Sequence, residues 1–422
     1  MSTDRGRDWR RLDNAAKIFP PTTNGRDTNV FRVTCEMKEA IEPQALQVAL
    51  DRTVERFPLF RSVIKRGIFW YYLEQSTQPV TVEEECRAVC APLYEKGSKN
   101  LLVDVSYYQN RINLEVFHAV SDGSGALRFL KTLVANYITE CYPDTPLAGA
   151  DGLLVDASAA QQVEDSYLKY YDPGAKRMKQ RGKAWQQRGA KLPQGALHVI
   201  EGIMPVRAVL AEAKKHGVTL TVYLTALYLF AMYEDMPLRH RGKPVVAAVP
   251  VDLRNYFPSE TAQNFFSLIY VEGRYTETLE EMIILAEQAF KRELKRENLA
   301  ARMRALMAIE RNALVRPVPL VIKDLGLKIA GAVSQEAASF TLSNLGRVEM
   351  PAPLREFIGG FGVFAGTDRS QLCVCSYGDR LSIGYTSIYE STETPKRFFR
   401  ALASAGIPVE IHANRIFSEE GK

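Results

Sequence analysis

One histidine of the five in this 422-residue chain is followed by residues that could put an imidazole to chemical use. In Asn110–Ala126 (NRINLEVFHAVSDGSGA), His118 precedes Asp122 by four residues, and Gly123 follows at once. Imidazole is the side chain whose ordinary pKa lets it accept a proton from an alcohol or amine near neutral pH. A carboxylate four residues on, beyond a tight turn, suits a different task, that of pinning the loop through an arginine. Glycine beside it permits a positive φ or a close approach of backbone. The flanking pattern says how these residues are held. Ile112, Leu114 and Val116 alternate as in a strand that delivers His118 to its end. Ser121-Asp122-Gly123 turns into a helical pattern starting near Gly125, and Leu130, Leu133, Val134 and Ile138 cluster on one face of Leu127–Tyr142.

Other chemistries find little support. There is no Gly-rich phosphate loop, no Ser-His-Asp order and no H-E-x-x-H. His198, His216, His240 and His412 lack partners at ligand spacing. Of the six cysteines, Cys86 and Cys90 have helical spacing, Cys373 and Cys375 share one strand face, and Cys35 and Cys141 stand alone. With no matching second pair, packed and reduced thiols are expected and no metal site. A net charge of +5 is mild, and no aromatic-interleaved basic repeat points to nucleic acid. Hydrophobic residues at 46% and charged ones at 24% describe a globular chain, long enough for two cores. No apolar run approaches membrane-spanning length, and MSTDRGRDWRRLD has charges where a signal peptide needs apolar residues, so a cytoplasmic protein is expected.

Along the chain, Trp9–Pro21 reads as an ordered lead-in, Phe31–Met37 as a strand and Glu42–Arg56 as a helix stopped by Pro58. Val63-Ile64 and Phe69–Leu73 suggest a strand pair. Gly174–Lys191 carries seven basic residues, no acid and three glycines, the composition of a solvated linker or of a basic lip for phosphates, with Trp185 as its anchor. Beyond it come a strand at Ala196–Met204, helices at Val206–His216 and Thr221–Tyr233, and two strands around a Pro/Arg/Asn-rich loop in VVAAVPVDLRNYFPSETAQNFFSLIYVE. Thr276–Ala313 is a long amphipathic helical region, one helix or two, with a solvated charged face. The expected division is a first lobe at 1–175, a linker at 176–194 and a second lobe at 195–422.

Two segments echo each other. LVDVSYYQNRINLEVFHAVSDG (Leu102–Gly123) and LCVCSYGDRLSIGYTSIYEST (Leu372–Thr392) align as strand, turn and strand, with Arg111 on Arg380, His118 on Ser387 and Asp122 on Ser391. Duplication followed by loss of one site would leave such a trace.

The H-x-x-x-D-G spacing of His118, Asp122 and Gly123 resembles the signature of the CoA-dependent acyltransferase superfamily, which includes chloramphenicol acetyltransferases, plant-type acyltransferases, peptide-synthetase condensation domains and alcohol O-acetyltransferases. The likeness extends to Phe57–Arg61 (FPLFR), Pro250–Phe266 and Ser339–Pro351 (SFTLSNLGRVEMP). Phe117 stands where condensation domains often double the histidine, and the D-F-G-W-G of plant-type members is absent, so bacterial alcohol O-acetyltransferase-type members are the nearest resemblance. The resemblance implies an α/β fold of two chloramphenicol-acetyltransferase-like lobes, a pseudo-dimer with an active-site channel between them, and a monomer in solution. It implies that His118 is the general base for direct transfer from acyl-CoA to a hydrophobic alcohol, without an acyl-enzyme or a permanently bound cofactor. Asp122 would then be structural, with Arg254 of V-D-L-R as its partner. A hydroxyl of the SFTLSNLG segment would donate to the oxyanion; Ser339, Thr341 and Ser343 share a strand face, and Ser343 is favoured, with Asn344 and Gly346 serving backbone geometry. Trp70, Tyr71, Phe265 and Phe266 are candidates for an apolar tunnel or for the core. Two other readings stand beside this one: an ester or amide synthase fed by a phosphopantetheinyl thioester on a carrier protein, and a catalytically silent binding protein of the same fold.

Overall fold

The computed structural model describes residues 9–145, 165–174, 181–312 and 315–415. Its first part contains β1 (Trp9–Arg11), α1 (Phe19–Thr22), β2 (Val30–Met37), α2 (Pro43–Arg56), β3 (Ser62–Arg66), β4 (Tyr71–Gln75), β5 (Val82–Glu84), β6 (Val103–Tyr108), β7 (Arg111–Phe117), α3 (Gly123–Cys141) and the short α4 (Ser166–Lys169). The second part runs through β8 (His198–Pro205), α5 (Val206–Lys215), α6 (Leu220–Asp235), β9 (Val245–Asp252), β10 (Phe266–Gly273), α7 (Leu279–Glu293), α8 (Arg296–Arg311) and α9 (Leu320–Glu336). It ends with β11 (Phe340–Val348), β12 (Ile358–Ala365), β13 (Ser370–Tyr377), β14 (Arg380–Ser387), α10 (Glu393–Ser404) and β15 (Glu410–Ala413). The helical region expected at Thr276–Ala313 is thus two helices, and α9 is not among the elements expected from the sequence.

Three sheets organise these elements: β12-β2-β7-β6-β5, β10-β9-β11-β13-β14-β8-β15, and a small β1-β4-β3. Strand β12 belongs by sequence to 195–422, yet it pairs antiparallel with β2 from Ile358↔Met37 to Ala365↔Phe31. Its Phe361, Val363 and Ala365 pack into the first lobe's core. The linker is fastened rather than free. Ala184 N donates to Glu336 O and Trp185 N to Pro244 O, each at 2.8 Å, and Arg181 pairs with the buried Glu293 at 3.0 Å. Its residues 175–180 lie outside the described residues.

Packing follows the apolar patterns, with several departures. Helix α2 buries Leu46, Ala49, Leu50 and Val54 on one stripe, whereas α6 is apolar nearly all round and sits inside the second core. In β7 the alternate face, Asn113 and Glu115, is also buried. There Arg32 Nε donates to Glu115 Oε1 at 2.8 Å across the β2–β7 register, and Glu85 bridges Arg32 and Arg111. These buried charges survive because each faces an opposite charge. Cys86 and Cys90 depart from their helical spacing and lie in a loop; Cys90 holds φ +57° and donates its N–H to Glu115 at 2.6 Å. Glu293, on the helical face expected to be solvated, is likewise buried among Arg181, Arg292 and Arg302.

Candidate active site at the lobe junction

His118 follows the last residue of β7, and its N–H donates to Asn29 O at 2.8 Å. The ring is sandwiched by Phe19, stacked with centroids 4.8 Å apart, and Phe31 at 4.7 Å, with Phe266 at 6.0 Å. Its Nδ1 lies 3.3 Å from Asn264 Oδ1. The amide of Asn264 is oriented by two acceptors, since its Nδ2 donates to His118 O at 2.9 Å and to Asp13 Oδ2 at 3.0 Å. Its Oδ1 therefore faces the imidazole, and an amide oxygen only accepts. Nδ1 must carry the proton, which leaves the lone pair on Nε2. Burial pushes the His118 pKa below its ordinary value, opposed by the hydrogen bond to Asn264 and the charge of Asp122. The imidazole is accordingly neutral at neutral pH, the state a base requires.

Asp122 does not contact the imidazole by hydrogen bond. It caps α3, accepting Gly125 N at 3.0 Å on Oδ1, while Oδ2 accepts Arg254 Nη1 and Phe265 N, each at 2.8 Å. Arg254 also donates to Asp252, to the carbonyl of Thr261 and to that of Gln263 at 2.7 Å. Burial works against the guanidinium charge, but Asp122 and Asp252 outweigh it and raise the Arg254 pKa. Ser124 adds a hydrogen bond to Asp252 Oδ2 at 2.7 Å, and Ser121 one to Ala262 O at 2.6 Å. Together these contacts join the start of α3 to the 252–265 loop of the second lobe.

The glycines of this turn act through space rather than φ. A Cβ on Gly123 would sit 2.6 Å from Leu345 of the second lobe, and one on Gly125 would sit 2.3 Å from the backbone oxygen of Ala262. Leu345 has some freedom to yield; the backbone at Ala262 has none, so Gly125 is the stricter requirement.

A cavity of about 940 Å³ opens beside His118, and both lobes line it. Phe31 and His118 come from the first; Phe266, Ser343 and Asn344 come from the second; Lys214 and Lys291 are charged groups along its wall. Of the three candidate hydroxyls, Ser343 lines this cavity and Thr341 does not. Ser339 is committed elsewhere, donating to Trp185 O and accepting Val246 N at 3.1 Å. Asn344 Nδ2 donates to Thr221 at 2.8 Å and its Oδ1 accepts Gly346 N at 2.8 Å, closing a bulge in which Gly346 takes φ +76°. Of the four candidate aromatics only Phe266 reaches the cavity; Phe265 is core, and Trp70 and Tyr71 lie under α9. Cys373 also lines the cavity, but burial pushes its thiol up to about 12, which keeps it protonated and a poor nucleophile.

Sequence reasoning missed Asn264, Asp13, Ser124 and Gly125. The only signal for Asn264 is an amide directly ahead of the strand-like Phe265–Ile269; for Asp13 no local pattern exists.

No family model matches the sequence, and no curated protein matches it. Solved structures do. The chain superposes on TRI101 of F. sporotrichioides, solved with coenzyme A and T-2, with a TM-score of 0.63 at 11% identity, covering 96% of this chain and 99% of that one. For the TRI3 trichothecene 15-O-acetyltransferase of Fusarium sporotrichioides the values are 0.61 and 10%, covering 94% of each chain. For the starter condensation domain of rhizomide synthetase, a mutant solved with C8-CoA and Leu-SNAC, they are 0.58 and 14%, again over 94% of each. Across nearly its whole length, then, this chain has the α/β fold of TRI101, of the TRI3 acetyltransferase and of this condensation domain.

Proposed function

We propose that this protein is an acyltransferase that moves an acyl group from acyl-CoA to the hydroxyl of a hydrophobic alcohol. The observation that carries the reading is the neutral His118, protonated at Nδ1 toward Asn264, beside a cavity shared by the two lobes. His118 Nε2 takes the proton of the acceptor hydroxyl as its oxygen attacks the thioester carbonyl. The oxyanion of the tetrahedral intermediate accepts a hydrogen bond from Ser343 Oγ. When the C–S bond breaks, the His118 imidazolium returns the proton to the CoA thiolate. No acyl-enzyme forms. Asp122 and Arg254 keep the turn and the two lobes in register, and the apolar rings of Phe19, Phe31 and Phe266 exclude water and suit an apolar acceptor.

The test is release of CoA, with product chromatography, from acetyl-CoA and longer acyl-CoAs mixed with alcohols and amines. Turnover by wild type that collapses in His118→Ala supports the reading. Equal turnover by both overturns it. Turnover only with an acyl thioester on a carrier protein would transfer the same chemistry to the condensation-type reading.

A further inference from the structure

Helix α9 is inside out. Its covered side carries Lys323 and Asp324, each only 8% exposed, together with Leu320 and Gly331, whereas Val321, Ile322, Leu325, Ile329 and Val333 are each between 50% and 66% exposed. At 3.6 residues per turn those five occupy about a third of the helix circumference, the arc an amphipathic helix normally buries. The arrangement is locked from beneath. Asp324 Oδ2 accepts the Tyr71 hydroxyl at 2.8 Å and Arg66 Nη2 at 3.3 Å. Lys323 Nζ donates to the carbonyls of Phe69 and Arg316 and lies 3.5 Å from the Trp70 ring centroid. Rolling the helix to bury its aliphatic side would expel two buried charges from these partners, so the apolar side is held outward.

The patch continues onto the β3–β4 turn. Ile68 is 75% exposed and Phe69 is 42% exposed, and Leu320 N donates to Ile68 O at 2.8 Å, tying that turn to the start of α9. Around the cavity beside it, Lys96 and Lys328 stand exposed against Glu95. A contiguous aliphatic surface of this kind marks an interaction site. We propose that α9 and the Ile68-Phe69 turn form a docking surface for an anionic lipid bilayer, into whose interface the aliphatic side chains insert while the cations meet the headgroups. The charge decides between occupants. Two copies of this chain meeting through the patch would bring like charges together, while anionic headgroups neutralise them. Among the described residues no single helix is long and apolar enough to cross a membrane, and the contact proposed is a peripheral one. One consequence rests on the function proposed above. A cavity of about 570 Å³ lies between Leu325 and Pro20-Pro21 of α1, and Phe19 at the start of α1 stacks on His118, so docking brings a bilayer-dissolved acceptor within one short helix of the base.

The test reads binding, not activity. The full chain is co-sedimented with phosphatidylcholine vesicles and with vesicles of phosphatidylcholine and phosphatidylglycerol, at low and high salt. Wild type should pellet with the anionic vesicles and be released by salt. The double variant Leu325→Asn/Ile329→Asn should partition at least about tenfold less, and Lys328→Glu about fivefold less, each with an unchanged circular dichroism spectrum and melting temperature. Failure of wild type to bind anionic vesicles, or equal binding by wild type and both variants, overturns the proposal. A wild-type dimer by light scattering that the double variant dissolves, with no vesicle binding, assigns the face to a second copy instead. Binding to an acidic carrier protein but not to vesicles likewise overturns it.

Discussion

The two hairpins that echo each other in the sequence occupy matching places in the two sheets and meet different ends. β6–β7 and β13–β14 each lead into a helix, α3 and α10, and each second strand is flanked by the strand that comes first along the chain in its sheet, β2 beside β7 and β8 beside β14. At the end of β7 the chain sets His118 between aromatic rings, and Asp122 caps α3 while gripping Arg254. At the end of β14 the corresponding Ser387 is fully buried, accepts Tyr389 N at 3.1 Å and faces Ser370 and Tyr385. Thr392, ahead of α10, makes no side-chain cap. One scaffold therefore supports both a candidate site and a sealed core. The difference is made by a titratable side chain at the strand end and by a carboxylate at the helix start that has an arginine to face.

The comparison can be broken or sharpened in several ways. His118→Ala should lower kcat/KM by roughly 10²- to 10⁴-fold with folding intact, by single-turnover CoA release. Asp122→Ala leaves Arg254 buried without its main counter-charge and should cost about 3–5 kcal/mol in urea unfolding. Ser343→Ala should reduce kcat by about 10- to 10³-fold with KM little changed, the mark of an oxyanion donor. Asn264→Asp places a carboxylate against Nδ1 and raises the His118 pKa. In wild type that pKa is depressed, so kcat/KM falls only as pH drops below the ordinary histidine range; in the variant the fall should begin at higher pH. Ser387→Ala, at the sealed end, should cost about 1 kcal/mol of stability and leave turnover unchanged. A large loss of activity from Ser387→Ala would refute the division between site and core.

Much of this architecture is legible in local pattern. Alternation marks β7, a 3.6-residue stripe marks α2 and α3, and the histidine and aspartate can be read as a pair because a strand end and a helix start lie between them. Glycine at 123 and 125 is visible, but its reason is not. The cause lies with Leu345 and the backbone of Ala262, more than 130 residues away. Helix α9 is hidden for the opposite reason. Its aliphatic stripe is regular, but the stripe faces outward and the buried side is charged, so burial cannot be read from polarity.

The sequence by itself determined the strand that ends at His118, the cap and helix after it, and the chemistry an imidazole brings. Only the tertiary structure decided that Arg254, 132 residues beyond Asp122, closes on it, and that Asn264, 146 residues beyond His118, sets its tautomer. It also decided that β12 leaves its own part of the chain to complete the first sheet. Periodicity reports which side of an element is apolar. Which distant polar group meets another depends on how the lobes dock, and docking is written in no single window of the chain.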